Sequence, residues 1–392
     1  MQAWHFTEMP YPDLPPLDTL STMRVSLPSK HYDPRIGADL YNRYLDEYLI
    51  AADLGLNMMV NEHHQASTCI DVAAPLSAAI LARQTTKGRI CILGNPIANR
   101  GDPIRIAEEM AMVDCISRGR LEVGFVRGVP FEIFPANTNP TQTGERLWEG
   151  IDLVCKAWTT TDGPFNFEGK FTHRRAINLW PRPYQIPHPP IWTTGSSDLE
   201  NIKRTAARGF VFATFLQPHT KVKWMFDAYR STYLDTGLPG GGGTAYMPLI
   251  YTGDTQEDAE RGARELAWFF GAKSEPQHVN PPGYAPIELN VKALRGEFAG
   301  RTAAMRKKSL EELKDEGVLI YGTPDDVAKQ IKRLYDLAGG FDHLLAMQQA
   351  GHLSHKRTVD SMTLFAREVY PQIKHLARTQ PLNAKVTAEI AS

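Results

Sequence analysis

The chain has 392 residues, more than the roughly 150 of one typical domain but within the reach of an α/β barrel carrying insertions. Lysine plus arginine number 43 and aspartate plus glutamate 44, so the formal net charge is −1 and there is no electrostatic footprint for nucleic acid or an anionic membrane. Hydrophobic residues at 42% and charged residues at 22% exclude a disordered or fibrous chain.

The start, MQAWHFTEMPYPDLPP, has neither a basic opening nor an apolar run, so no signal peptide is expected. No apolar stretch approaches the roughly eighteen residues of a membrane span. Cys69, Cys91, Cys115 and Cys155 lack C-x-x-C spacing and read as inert buried thiols in a reducing cytoplasm. The expected location is therefore cytoplasmic.

After a Pro-rich lead-in, MRVSL (23–27) predicts a first short strand. Tyr41, Tyr44, Leu45, Tyr48, Leu49 and Ala52 recur at helical spacing and predict a helix over about 40–54. LNMMVN (56–61) predicts a strand, with a helix through residues 72–83. RICILGN (89–95) and a helix over 103–117 follow, then GRLEVGFV (119–126) and a helix over 144–158. These strands are apolar almost throughout, as in a parallel sheet buried on both faces.

Residues 159–190 break the rhythm with Gly163-Pro164, Glu168-Gly169 and a cluster of prolines, and FNFEGKFTHRR predicts a hairpin. The alternation resumes with strand 190–194, helix 198–208, strand 209–215 and helix 219–236. The glycine run 240–243 reads as a loop before strand 245–252 and a helix over 255–270. A second irregular stretch spans about 272–301. Thr323-Pro324-Asp325-Asp326 then marks a helix start, with a threonine cap, proline at the first position and acids in the first turn. FDHLLAMQ (341–348) predicts the last strand, and a closing helix carries Val359, Met362, Phe365, Val369 and Ile373 on one face.

Eight strands alternating with helices predict a (β/α)8 TIM barrel, an α/β fold, as a single domain over 1–392. Its insertions lie at about 159–190 and 272–301, the second a lid-like excursion before the last strand. The alternative is an open doubly wound sheet.

A barrel of this kind reacts at the C-terminal ends of its strands. The second strand ends in Asn61-Glu62-His63-His64, the third in Gly94-Asn95, the fourth in Arg127-Gly128 and the fifth in Thr194-Gly195-Ser196-Ser197. Adjacent histidines at such a place serve as metal ligands, as acid–base groups or as structural polar residues. A metal site has little support, because neighbouring strand residues diverge and no third ligand is evident. The reading adopted is a functional, metal-free imidazole at the barrel mouth. Thr194, Gly195, Ser196 and Ser197 run into a helix and offer N–H groups and hydroxyls to an anion, although Ser197 alone would also serve as a helix cap. Arg127 and Arg146 flank that turn, and their convergence favours a phosphate-bearing ligand. No dinucleotide fingerprint occurs in a strand-to-helix turn.

These residues resemble the bacterial luciferase-like family of flavin-dependent monooxygenases. NEHH (61–64) is similar to its E-H-H motif, and DPIRIAEEMAMVDCISRGRLEVGFVRG (102–128) to its D-P-x-R-x-A-E…S-x-G-R…R-G signature. Gly195-Ser196 and YGTPDDVAKQI (321–331) match further motifs in order. The resemblance implies a barrel holding reduced FMN, with its phosphate near Arg127, Arg146 and the Gly195–Ser197 turn. It implies reaction with molecular oxygen through a flavin hydroperoxide, His63 in the catalytic position, and a small-molecule substrate. Asn95 falls where some members carry a non-prolyl cis peptide beneath the flavin ring, a geometry Gly94–Asn95 would tolerate. Val126 stands where the family commonly has glycine.

With no nicotinamide fingerprint of its own, the chain is expected to take reduced FMN from a separate flavin reductase, and the resemblance implies a homodimer. Aromatic residues such as Phe131, Phe134, Phe215 and Trp268–Phe270 lean towards an apolar or carbonyl substrate. The rival readings are a deazaflavin-dependent oxidoreductase of the same superfamily and a flavin-binding barrel without turnover.

Overall fold

Eight parallel strands close a barrel in the computed structural model, which describes residues 1–196, 198–238, 243–295, 297 and 300–376. In chain order the elements are β1 (Gln2–Thr7), α1 (Pro34–Asp53), β2 (Asn57–Val60), α2 (Ala74–Gln84), β3 (Ile90–Asn95), α3 (Pro103–Ser117), β4 (Leu121–Phe125) and α4 (Thr143–Thr159). A hairpin, β5 (Phe165–Glu168) with β6 (His173–Ile177), precedes β7 (Ile191–Thr194), α5 (Leu199–Ala207), β8 (Val211–Phe215) and α6 (His219–Thr236). Then come β9 (Gly243–Met247), β10 (Leu249–Thr252), α7 (Gln256–Leu266) and the short helices α8 (Pro276–Val279), α9 (Ile287–Leu294), α10 (Arg301–Arg306) and α11 (Leu310–Asp315). The chain finishes with β11 (Leu319–Gly322), α12 (Pro324–Leu337), β12 (His343–Gln349), α13 (His355–Leu364) and α14 (Tyr370–Ile373).

The barrel order is β1-β2-β3-β4-β7-β8-β9-β12, closed by β12 on β1. This is the expected (β/α)8 architecture with one correction to its membership. The first barrel strand is Gln2–Thr7, not 23–27. Trp4, Phe6 and Thr7 suit a buried strand, and the prolines that made the start look irregular begin only at Pro10. Val25 sits at a φ of 23°, so no strand runs through it, and Arg24 makes only an isolated bridge to Ala66. The seventh strand is also split. Pro248 has no N–H to give, and beyond it β10 turns aside to pair with β11, which the sequence reading did not count as a strand.

Outward side chains of β2–β4, among them Met58, Val60, Ile92 and Val123, pack against Leu81, Ile106, Met110 and Ile151 of α2–α4. Inward ones, including Phe6, Met59, Cys91, Leu93 and Leu345, fill the barrel. Its N-terminal end is plugged by a polar-aromatic layer. Trp192 donates Nε1–H to Glu122 at 2.5 Å, Trp4 donates to His343 Nδ1 at 3.2 Å, and Arg89 pairs with Glu122. Burial drives the His343 imidazole down to about 4, so it sits there neutral. That seal lies at the end opposite the C-terminal ends of the strands, where His63 keeps 23% of its side chain exposed.

Both insertions dock near that end. The predicted hairpin forms, and Glu149 of α4 fastens its turn by accepting N–H bonds from Lys170 at 2.6 Å and Thr172 at 2.7 Å. The stretch 272–301 carries short helices and lies against the first long loop: Met23 N donates to Lys273 O at 3.0 Å, and Ser26 Oγ donates to Glu275 at 2.7 Å. Of the predicted glycine loop 240–243, residues 240–242 lie outside the described residues, and Gly243 is no loop residue but opens β9. Cys69 and Cys91 are buried, but Cys115 is exposed, contrary to expectation. No helix among the described residues is long and apolar enough to cross a membrane.

Candidate functional site

Beyond β2 the chain stays extended enough for neighbouring side chains to diverge. Glu62 and His64 go one way: His64 Nε2 lies 3.1 Å from Glu62 Oε1, and Glu62 faces Arg100 at 4.0 Å. The Glu62 hydrogen bond raises the His64 pKa above the ordinary imidazole value despite burial. Asn61 and His63 go the other way. Asn61 donates to Glu8 Oε2 at 3.0 Å, and His63 Nδ1 lies 3.0 Å from Glu132 Oε1.

Glu132 belongs to the β4–α4 loop and is almost wholly buried. The same Oε1 accepts the His64 backbone N–H at 3.0 Å. Its neighbour Phe131 lies under the Arg24 guanidinium, 4.4 Å from the ring centroid. Burial alone would lower the His63 pKa, but the Glu132 hydrogen bond and charge, reinforced by Glu8, outweigh burial and the Arg24 charge, and the pKa is raised. Burial pushes the Glu8 carboxyl up against the pull of His63, Asn61 and Arg24. It pushes Arg24 down to about 10 against the Glu8 and Glu132 charges. The result is a buried network of two acids, one guanidinium and one imidazole, of which His63 keeps 23% of its side chain exposed.

Arg127 and the Thr194–Ser196 turn are neighbours at the rim, since Phe125 pairs with Thr193 in register. The Gly195 N–H is already bonded to Ala213 O at 3.1 Å, and a Cβ at Gly195 would meet the Phe212 ring at 2.8 Å. Helix α5 is capped by Asp198, whose carboxylate accepts from Asn201 N, so the cap is not the serine considered from sequence. An anion here would meet the turn and Arg127 more readily than a helix end that already holds an acid. Ser197 lies outside the described residues. Thr194 O accepts from Asn201 Nδ2 at 3.1 Å.

Each arginine is held by one insertion. Arg127 lies 3.7 Å from the Tyr284 ring centroid and donates to Tyr284 O at 2.6 Å, while the Tyr284 hydroxyl donates to Gly128 O at 2.7 Å. Arg146, in the first turn of α4, lies 4.8 Å from the Phe171 ring centroid and donates to Gln142.

The non-prolyl cis peptide is Leu93–Gly94, one residue before the bond expected. A Cβ at Gly94 would stand 2.8 Å from Gly124 O, so only glycine permits this approach of β3 to β4. Asn95 does not point into the mouth. It is fully buried, donating to Gly124 O at 3.2 Å and lying 3.6 Å from the Met110 sulfur of α3.

The residues fit a phosphate-bearing, partly polar cofactor. Arg127 supplies a fixed positive charge at the rim, and next to Gly128 the Asn99 amide is buried with both polar atoms unpaired among the described residues. Also among the described residues, no three His, Cys, Asp or Glu side chains are grouped to hold a metal ion.

Sequence reasoning missed Glu8, Arg24 and Glu132. Glu132 carried a usable signal, an acid inside the apolar run Phe131–Phe134, which burial obliges to find a partner.

A family model described as "Luciferase-like monooxygenase" matches residues 28–340. The oxygenase component of a flavin-dependent trigonelline monooxygenase from Acinetobacter baylyi is 27% identical over 352 residues, covering 86% of this chain and 91% of that protein. Among solved structures, the oxygenating constituent of 3,6-diketocamphane monooxygenase from Pseudomonas putida, in complex with FMN, superposes with a TM-score of 0.69 at 19% identity, covering 97% and 99% of the two chains. An F420-dependent secondary alcohol dehydrogenase superposes at 0.65 with 17% identity, covering 87% and 96%.

Proposed function

The chain belongs to the luciferase-like monooxygenase family, and from that premise we propose that it is the oxygenase of a two-component system. In this reading it uses reduced FMN and molecular oxygen to oxygenate a small organic substrate of apolar or carbonyl character. The observation that carries it is His63, a partly exposed imidazole just beyond the C-terminal end of β2, held through Nδ1 by a buried carboxylate. Such a group moves a proton at its other nitrogen without changing place.

Reduced FMN would supply the electrons for the oxygen chemistry. Arg127 and the Thr194–Gly195–Ser196 turn would hold its phosphate, with Arg146 adding positive charge nearby. Asn95 would act only by supporting the β3 end, since its side chain faces α3. The 272–301 segment would exclude water while substrate reacts. The relative named as an oxygenase component supports delivery of reduced flavin by a separate reductase.

Anaerobic titration with photoreduced FMN tests this reading. Saturable binding stronger than that of reduced deazaflavin is expected. Arg127→Ala should weaken it roughly 10- to 100-fold, the equivalent of about 1.5–3 kcal/mol for a charge-assisted bond. Tight deazaflavin binding with no response to FMN would replace oxygenation by hydride transfer. FMN binding without oxygen uptake in the presence of substrates would leave only a carrier.

A further inference from the structure

His63 makes its bond to Glu132 across the barrel rim, from the β2 end to the β4–α4 loop. Glu132 Oε1 receives two donors, the His64 backbone N–H and the His63 ring, both at 3.0 Å. The backbone N–H can only donate, so that oxygen accepts there, and an ionised carboxylate accepting from both donors requires the ring proton on His63 Nδ1. The carboxylate is itself immobile: Glu132 is 2% exposed, and Phe131 and Ile133 on either side are buried. The imidazole thus has its ring plane and tautomer set from one side, and Nε2 is the nitrogen available to a ligand.

We propose that Glu132 is the positioning residue of the site, holding His63 with Nδ1 protonated so that Nε2 is the atom that meets substrate or cofactor oxygen. Glu132 touches neither itself and acts through the ring. This rests on the reading of His63 as the catalytic imidazole given above, but its test does not depend on turnover.

The groups facing His63 come from three loops: Glu132 from the β4–α4 loop, Glu8 and Arg24 from the β1–α1 loop, and Asp71 with His64 from the β2–α2 loop. Glu132 and Glu8 favour the charged ring, and burial and Arg24 oppose it. Removing the Glu132 charge takes away the hydrogen bond and the larger of the two charges that favour the charged ring, leaving Glu8 and Asp71 against burial and Arg24, so the ring should lose its proton at lower pH.

The test is nitrogen-15 NMR of the histidine rings in the full-length, cofactor-free protein, with His63 assigned by its loss in His63→Gln. In the wild type above its pKa, His63 should show the Nδ1–H tautomer. In Glu132→Gln its pKa should fall by about one unit or more, with Glu132→Asp in between. Reduced-FMN binding within about two-fold of wild type would show that the variants are folded.

An Nε2–H tautomer in the wild type would overturn the proposal, and that measurement needs no variant. So would an unchanged His63 pKa in folded Glu132→Gln. If the tautomer and shift are as stated but no substrate is oxygenated, the dyad stands and the monooxygenase reading fails.

Discussion

At the scale of single residues the rim is a set of buried charges whose balance can be read with pH. Asp71, 3% exposed, keeps one carboxylate oxygen without a partner among the described residues, and burial pushes its pKa up to about 6 against the bonds from Ser77 and Ala73. The folded protein holds that proton up to about pH 6, whereas an unfolded chain releases it near 3.8. Between those values the folded state binds more protons, so stability falls as pH rises. Asp71→Asn should therefore be more stable than wild type at neutral pH, by about 1–3 kcal/mol, with a flatter pH dependence between about pH 4 and pH 6. Urea unfolding across that range checks it, and parallel curves for the two proteins would refute it. His63, Arg127 and the Gly195–Ser196 turn were legible in sequence because strand ends and turns announce themselves locally. Glu132, Glu8 and Arg24 were not, because their role comes from meeting across the rim, which no local spacing encodes. Asn95 was legible as a strand end, but not its direction, because the close approach at Gly94 and Gly124 shifts the β3 register before it.

At the scale of elements, the helices and parallel strands followed from periodicity and caps. Asp102 caps α3 ahead of Pro103 as such sequences dictate, accepting from Ile104 N at 3.1 Å. The errors came where apolar content was equal and backbone geometry decided. Met23 is as buried as a strand residue, yet the left-handed turn at Val25 keeps its segment a loop. Pro248 split a run that reads as one strand. Tyr284 ties the 272–301 segment to Arg127 and Gly128 at the rim, so Tyr284→Ala should loosen it locally. Loss of the stacking contact costs about 1–2 kcal/mol, enough to speed cleavage within residues 272–295 by about 5- to 30-fold. Limited proteolysis mapped by mass spectrometry reads this directly, and an unchanged cleavage rate would mean that other contacts hold the lid.

At the scale of the whole molecule, the two insertions, about 159–190 and 272–301, lie at the same end of the barrel. One lays Phe171 on Arg146 and the other lays Tyr284 on Arg127, so both excursions converge on the arginines expected to meet a phosphate. A net charge of −1 is thus compatible with local positive charge gathered and screened at one rim. The barrel is sealed at its N-terminal end by Trp4, Trp192 and His343, the His63–Glu132 pair lies at the other end, and family membership points to oxygen chemistry. Turnover under labelled dioxygen tests this most directly, with reduced FMN supplied by a separate reductase and a panel of small apolar and carbonyl compounds read by mass spectrometry. The account predicts a product about two mass units heavier under oxygen-18 than under ordinary oxygen, dependent on FMN and lost in His63→Ala while that variant still binds reduced FMN. A product that carries no label, or that forms without oxygen from reduced deazaflavin, would contradict it.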